Sequence, residues 1–104
     1  MTYLSNAFSI NMVDGACSVN FTPISAEEAS HLLDEFTSGI GHPDTATVVS
    51  NILGKEVAPN RVSIQLAQGD VLIVAQYTGP RLPEGATTLP EGATIKFWRV
   101  EVTY

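Results

Sequence analysis

The order of patterns along the chain, two strands, two helices and then three strands, predicts an α+β protein. Its expected core is a mixed sheet of about five strands with two main helices packed on it. Two observations carry this. Apolar spacing changes from every second residue to helical spacing at Ser25, and returns to strand spacing after Gly54. The run Val71-Leu72-Ile73-Val74-Ala75 is continuously apolar, as expected of a central strand covered on both faces. At 104 residues the chain predicts one domain spanning 1–104, with a single core and little to spare.

Thr2–Ser5 reads as a short first strand, followed by turn-like residues through Met12. Cys17, Val19 and Phe21 alternate with polar residues as in a half-buried strand. Ser25 and Glu28 form a capping box that opens a helix. One face of that helix is marked by Ala26, Ala29, Leu32, Leu33 and Phe36. A second helix is expected from about Pro43 to Leu53, stopped by Gly54. Arg61–Leu66 alternates through Val62, Ile64 and Leu66 and predicts a third strand; Gly69-Asp70 then turns the chain into Val71–Ala75. Thr94–Tyr104 reads as the last strand, with a bulge expected where its alternation slips near Phe97-Trp98. Between the last two strands a segment repeats with a period of seven, Leu82–Thr87 and then Leu89–Thr94. Two copies are too few for a repeat fold, and the prolines and glycines predict a structured loop or a lid.

Composition narrows the function. The formal net charge of −6 argues against a duplex-DNA binder with a broad basic surface, but it leaves room for a small phosphate ligand. Such a ligand would need the few cations, Lys55, Arg61, Arg81, Lys96 and Arg99, gathered locally. No apolar run approaches the roughly 20 residues that cross a bilayer. The amino terminus lacks the pattern of a secretion signal, so a cytoplasmic location is expected, that of the host cell if the protein is viral. Cys17 stands alone and reads as a small core residue. His31 and His42 lack metal-binding spacing, and neither metal nor cofactor is expected.

The run Ser38-Gly39-Ile40-Gly41-His42-Pro43-Asp44-Thr45 holds the most chemical information. Its two glycines let backbone approach a ligand closely, and Pro43 is a favoured first residue of a helix. His42 is thereby presented at a helix N-terminus, where free amides and the macrodipole favour an anion. A titratable imidazole beside a phosphate site suggests acid–base chemistry on a phosphate; a capping or loop histidine is the plain alternative. Arg81 is expected to project from a strand end, either to hold a phosphate with two hydrogen bonds or to pair with Glu84 or Glu91. Ser9, beside Asn6 and Asn11, reads as a turn cap with hydrogen-bonding capacity. Thr45 in the first helical turn can supplement an anion site, and Arg61 begins its segment after Pro59-Asn60.

Four stretches together resemble the viral ring nucleases, the type III anti-CRISPR family that degrades cyclic tetra-adenylate. They are Tyr3–Met12, Ile40-Gly41-His42 with Thr45, Asn60-Arg61-Val62, and Arg81-Leu82-Pro83-Glu84-Gly85, in family order over nearly the whole chain. The resemblance implies that His42 is the general acid, Arg81 the phosphate-binding arginine and Glu84 its acidic partner. It places Ser9, Asn6, Thr45, Arg61 and Gln76 in the nucleotide pocket, Gln76 with one extra residue before Arg81. Family members from archaeal viruses often carry a helix over the ligand after the arginine–glutamate pair; here the proline-rich repeat stands instead. Glu91 duplicates the context of Glu84, so two glutamates fit the motif.

On this reading the enzyme is a metal-independent phosphodiesterase that opens cyclic tetra-adenylate, with the substrate's own 2′-hydroxyl as nucleophile. It would silence type III CRISPR signalling. The ring's approximate two-fold axis predicts a homodimer with one His42 at each of two opposite phosphodiesters, and Phe97, Trp98 and Tyr104 are expected to supply apolar contact surface. The alternative class is a binding module, either sequestering a cyclic nucleotide without turnover or serving as a small transcription-linked adaptor.

Overall fold

β1 (Thr2–Ser5) lies at the junction of the sheet, hydrogen-bonded in parallel to β3 (Thr37–Ser38) on one side and to β4 (Val71–Thr78) on the other, in a computed structural model that describes residues 1–104. β5 (Thr94–Thr103) pairs antiparallel with β4, and β2 (Ser18–Ile24) pairs antiparallel with β5 at the edge. The strand order is β2-β5-β4-β1-β3. With α1 (Ala26–Leu32) and α2 (Pro43–Leu53), this is the α+β architecture and five-stranded mixed sheet that the pattern predicts.

Each face of the sheet has its own cover. Helix residues Ala29, Ala46, Val49 and Leu53 pack with Leu4, Ile73, Ala75 and Phe97 on one face. On the other, Leu72, Val74, Val100 and Val102 are covered by Met12, Ile64 and Leu66. Double coverage accounts for the unbroken apolar run of β4. It also accounts for β5, where the expected bulge near Phe97-Trp98 is absent and pairing to both neighbours is continuous. The alternation slips because the covered face changes along the strand. Ile95 and Phe97 face the helices, whereas further on Val100 and Val102 face the other cluster and Arg99 and Glu101 form an ion pair.

The segment expected as a strand over Arg61–Leu66 forms none. Its backbone is anchored singly, Asn60 N–H to the Ile40 carbonyl and Leu66 N–H to the Met12 carbonyl, both at 2.8 Å. Ile64 and Leu66 are nevertheless buried. Alternation there reports insertion of every second side chain into the core, without a ladder. α1 also ends earlier than its apolar pattern, at Leu32, because Leu33 and Phe36 turn towards the same core while the chain enters β3. The Lys55 ammonium caps that helix end through the carbonyls of Ser30 and Leu33, each at 2.6 Å.

The three terminal aromatics expected to supply apolar contact surface are placed differently, with Tyr104 exposed and Trp98 half-buried. Phe97 is buried in the helix-side core. The Tyr104 hydroxyl donates to the Leu66 carbonyl and accepts from Asp14 N–H, and the Trp98 indole donates to Gln76. Exposed large apolar side chains include Ile10 and Phe21 as well as Tyr104.

Candidate functional site

The three parallel strands β1, β3 and β4 point their carboxyl ends the same way, the end of such sheets at which ligands bind. Asn6 and Ser9 follow β1, the His42 loop follows β3, and Arg81 follows β4. Segments far apart in sequence are brought together by topology alone.

His42 is the N-cap of α2. Its backbone is extended, Pro43 takes the first helical position, and Nδ1 accepts the Asp44 backbone N–H at 3.2 Å. That bond needs a lone pair on Nδ1, so the imidazole proton sits on Nε2 while the cap is formed. The glycines before His42 are required by the protein's own packing. A Cβ on Gly39 would lie 2.6 Å from Ile64 Cδ1, and one on Gly41 would lie 2.8 Å from Arg61 Cγ. Arg61 is thus laid against the His42 loop, its Nε donating to the Gly41 carbonyl at 3.4 Å.

Arg81 and Glu84 reach the same place from the loop between β4 and β5. The two repeat copies fold alike: Ala86 N–H bonds the Pro83 carbonyl and Ala93 N–H the Pro90 carbonyl, both at 3.1 Å. Gly85 and Gly92, at φ 78° and 82°, take the third position of a tight turn, where positive φ favours glycine. The first copy docks on α2, with Gly85 N–H donating to Asp44 Oδ2 at 2.9 Å and Asn51 Nδ2 donating to the Thr87 carbonyl at 2.5 Å. Between them lies an open cleft of about 740 Å³ lined by His42, Pro43, Asp44 and the stretch from Arg81 to Gly85. Arg81 forms no ion pair, so its expected alternative role as a partner of Glu84 or Glu91 is not what is seen.

The remaining expected site residues divide. Asn6 and Gln76 line a second groove of about 510 Å³ with Phe8, Phe21, Val74 and Trp98, on the sheet face away from the helices. Ser9 Oγ caps the one-turn 3-10 helix Ile10–Met12 by accepting Asn11 N–H, and Ser9 lines neither cavity. Thr45 is half-buried in the first turn of α2 and is not part of the cleft wall. Asp44 had no assigned role in the sequence reading, although Asp in a first helical turn is a common signal. The aromatic wall of the second groove was likewise missed, because it joins residues from three strands or loops. No three His, Cys, Asp or Glu side chains are grouped so as to hold a metal ion, and no helix is long and apolar enough to cross a membrane.

A histidine-capped helix start and an arginine-bearing loop, meeting beyond the carboxyl ends of parallel strands, define a small α+β protein with an open polar cleft at that end. The chain belongs to the STIV B116-like family, which matches residues 2–98. It is similar to protein 26 of the Sulfolobus islandicus filamentous virus, isolate Iceland/Hveragerdi, at 33% identity over 88 residues, 82% of this chain and 74% of that protein. It is similar also to protein ORF117 of the Acidianus two-tailed virus, at 33% identity over 87 residues, 80% of this chain and 74% of that protein. Among solved structures, B116 of Sulfolobus turreted icosahedral virus superposes with a TM-score of 0.81 at 25% identity, over 96% of this chain and 97% of that one. These relatives are proteins of viruses, and the shared fold extends over nearly the whole molecule.

Proposed function

We propose that this protein is a metal-independent phosphodiesterase that opens cyclic tetra-adenylate. The observation that carries the reading is the shared cleft of His42, Arg81 and Glu84, three side chains from two distant segments, at a helix N-terminus. In the proposed reaction the ribose 2′-hydroxyl attacks its adjacent phosphorus while the bond to the 5′-oxygen breaks. The 2′-hydroxyl proton passes to Glu84 or to water, and His42 Nε2 donates a proton to the departing 5′-oxygen. Arg81 and the helix amides stabilise charge on the phosphate oxygens. Cutting two opposite phosphodiesters yields linear di-adenylates with 2′,3′-cyclic phosphate ends, and removes the signal that type III CRISPR defence depends on.

The helix cap gives His42 a dependence on ligand. A phosphate at the start of α2 competes for the Asp44 N–H that Nδ1 now accepts. Once displaced, the His42 ring is released from the cap. A homodimer completes the site in this reading, since four phosphates need more cations than Arg61 and Arg81 of one chain. Exposed Ile10, Phe21 and Tyr104 are available for the contact. A sequestering module is the second reading, favoured by the engagement of Nδ1 in the cap and by two carboxylates, Asp44 and Glu84, in the cleft. Incubation of the protein with cyclic tetra-adenylate in excess chelator separates them. Linear products support the phosphodiesterase; tightly bound, intact ring supports sequestration.

A further inference from the structure

We infer that Asp44 is a positioning residue, holding the loop that carries Arg81 and Glu84 in register with His42. Its backbone N–H bonds His42 Nδ1 at 3.2 Å, and its carboxylate accepts Gly85 N–H at 2.9 Å. One residue therefore touches both halves of the cleft, a histidine on a helix and an exposed turn in the loop between β4 and β5. A carboxylate beside an anion site is unfavourable for the ligand. Here its charge is directed at a backbone amide, where it is also favoured by the helix N-terminus. The tandem repeat makes the assignment specific. Both copies form the same turn, but only the Gly85 amide has an acceptor outside its own copy; the second copy runs directly into β5 and needs no such tether.

The proposal rests on the phosphodiesterase reading only for its catalytic consequence, and the duplicated sequence supplies an internal control. Gly85 and Gly92 both lie between Glu and Ala, so their unstructured amides exchange hydrogen at the same intrinsic rate. In the intact protein the Gly85 amide should exchange about tenfold more slowly than Gly92, the protection expected of a hydrogen bond to an exposed carboxylate. Asp44→Ala should bring the two rates together, and Asp44→Asn, which keeps an acceptor oxygen, should hold them apart. With cyclic tetra-adenylate, Asp44→Ala should lower kcat more than it raises KM, and Asp44→Asn should restore most of kcat. Equal exchange of Gly85 and Gly92 in the unsubstituted protein overturns the proposal even if the ring is cleaved. Protection of Gly85 in a protein that leaves the ring intact overturns the phosphodiesterase reading and supports the tether. Loss of kcat in both variants alike, with Gly85 still protected in Asp44→Asn, overturns positioning through this bond.

Discussion

Replacing Gly39 by alanine should destabilise the protein through one identifiable contact. The new Cβ would lie 2.6 Å from Ile64 Cδ1 and 3.3 Å from Ile64 Cγ1. Carbon atoms rest at about 3.5–4.0 Å, so the first contact is too short by roughly 1 Å. Ile64 is 6% exposed and wedged among Met12, Leu66 and Leu72, so it cannot swing into solvent. Overpacking of this kind costs about 1–3 kcal/mol, which lowers the melting temperature by roughly 4–8 °C for each kcal/mol in a domain near this size. Ile64→Val removes Cδ1 and leaves a contact that a few tenths of an ångström relieve; alone it should cost about 0.5–1.5 kcal/mol. The double variant should therefore be more stable than the sum of the single changes by roughly 1 kcal/mol or more. Urea unfolding of the four proteins measures this coupling. Additivity within about 0.5 kcal/mol would refute the view that Gly39 exists to admit Ile64 beneath the His42 loop.

Arg81→Ala should weaken cyclic tetra-adenylate binding and cleavage together, by roughly 10- to 150-fold, because a charged hydrogen bond worth about 1.5–3 kcal/mol acts in ground and transition states alike; calorimetric titration and single-turnover rates check both halves. Glu84→Ala should reduce turnover while Glu91→Ala is nearly silent, since the first repeat copy alone lines the cleft; equal rates in the two variants would contradict the choice of copy. Sedimentation at micromolar protein should show a homodimer with and without ligand, and a chain still monomeric when saturated with cyclic tetra-adenylate would contradict a shared site.

The most readable parts of the chain were those where one physical cause leaves one pattern. Ser25 caps α1 through Glu28 N–H, and Gly54 ends α2 in the left-handed conformation, both as their local sequence indicates. β4 is unbroken because both of its faces are covered. Where two causes share a pattern, the reading failed. Alternation in Arg61–Leu66 came from burial without pairing, and the slip in β5 came from a change of covering layer rather than a bulge. β3 has only two residues, too few for any period, although it is the strand that delivers His42. The conjunction of His42, Arg81 and Glu84 was legible only through the family resemblance, since no spacing links residues 42 and 81. The separation of Asn6 and Gln76 into a groove on the other sheet face was not legible at all, because facing is decided by register.

The central claim is that His42 is the acid that releases the 5′-oxygen, and single-turnover cleavage of cyclic tetra-adenylate tests it most directly. With excess enzyme and chelator present, the unsubstituted protein should convert the ring to linear di-adenylates ending in 2′,3′-cyclic phosphate. His42→Ala should bind the ring but cleave it roughly 100- to 10,000-fold more slowly, the range for loss of a positioned general acid. Cleavage by His42→Ala at the rate of the unsubstituted protein would contradict the account.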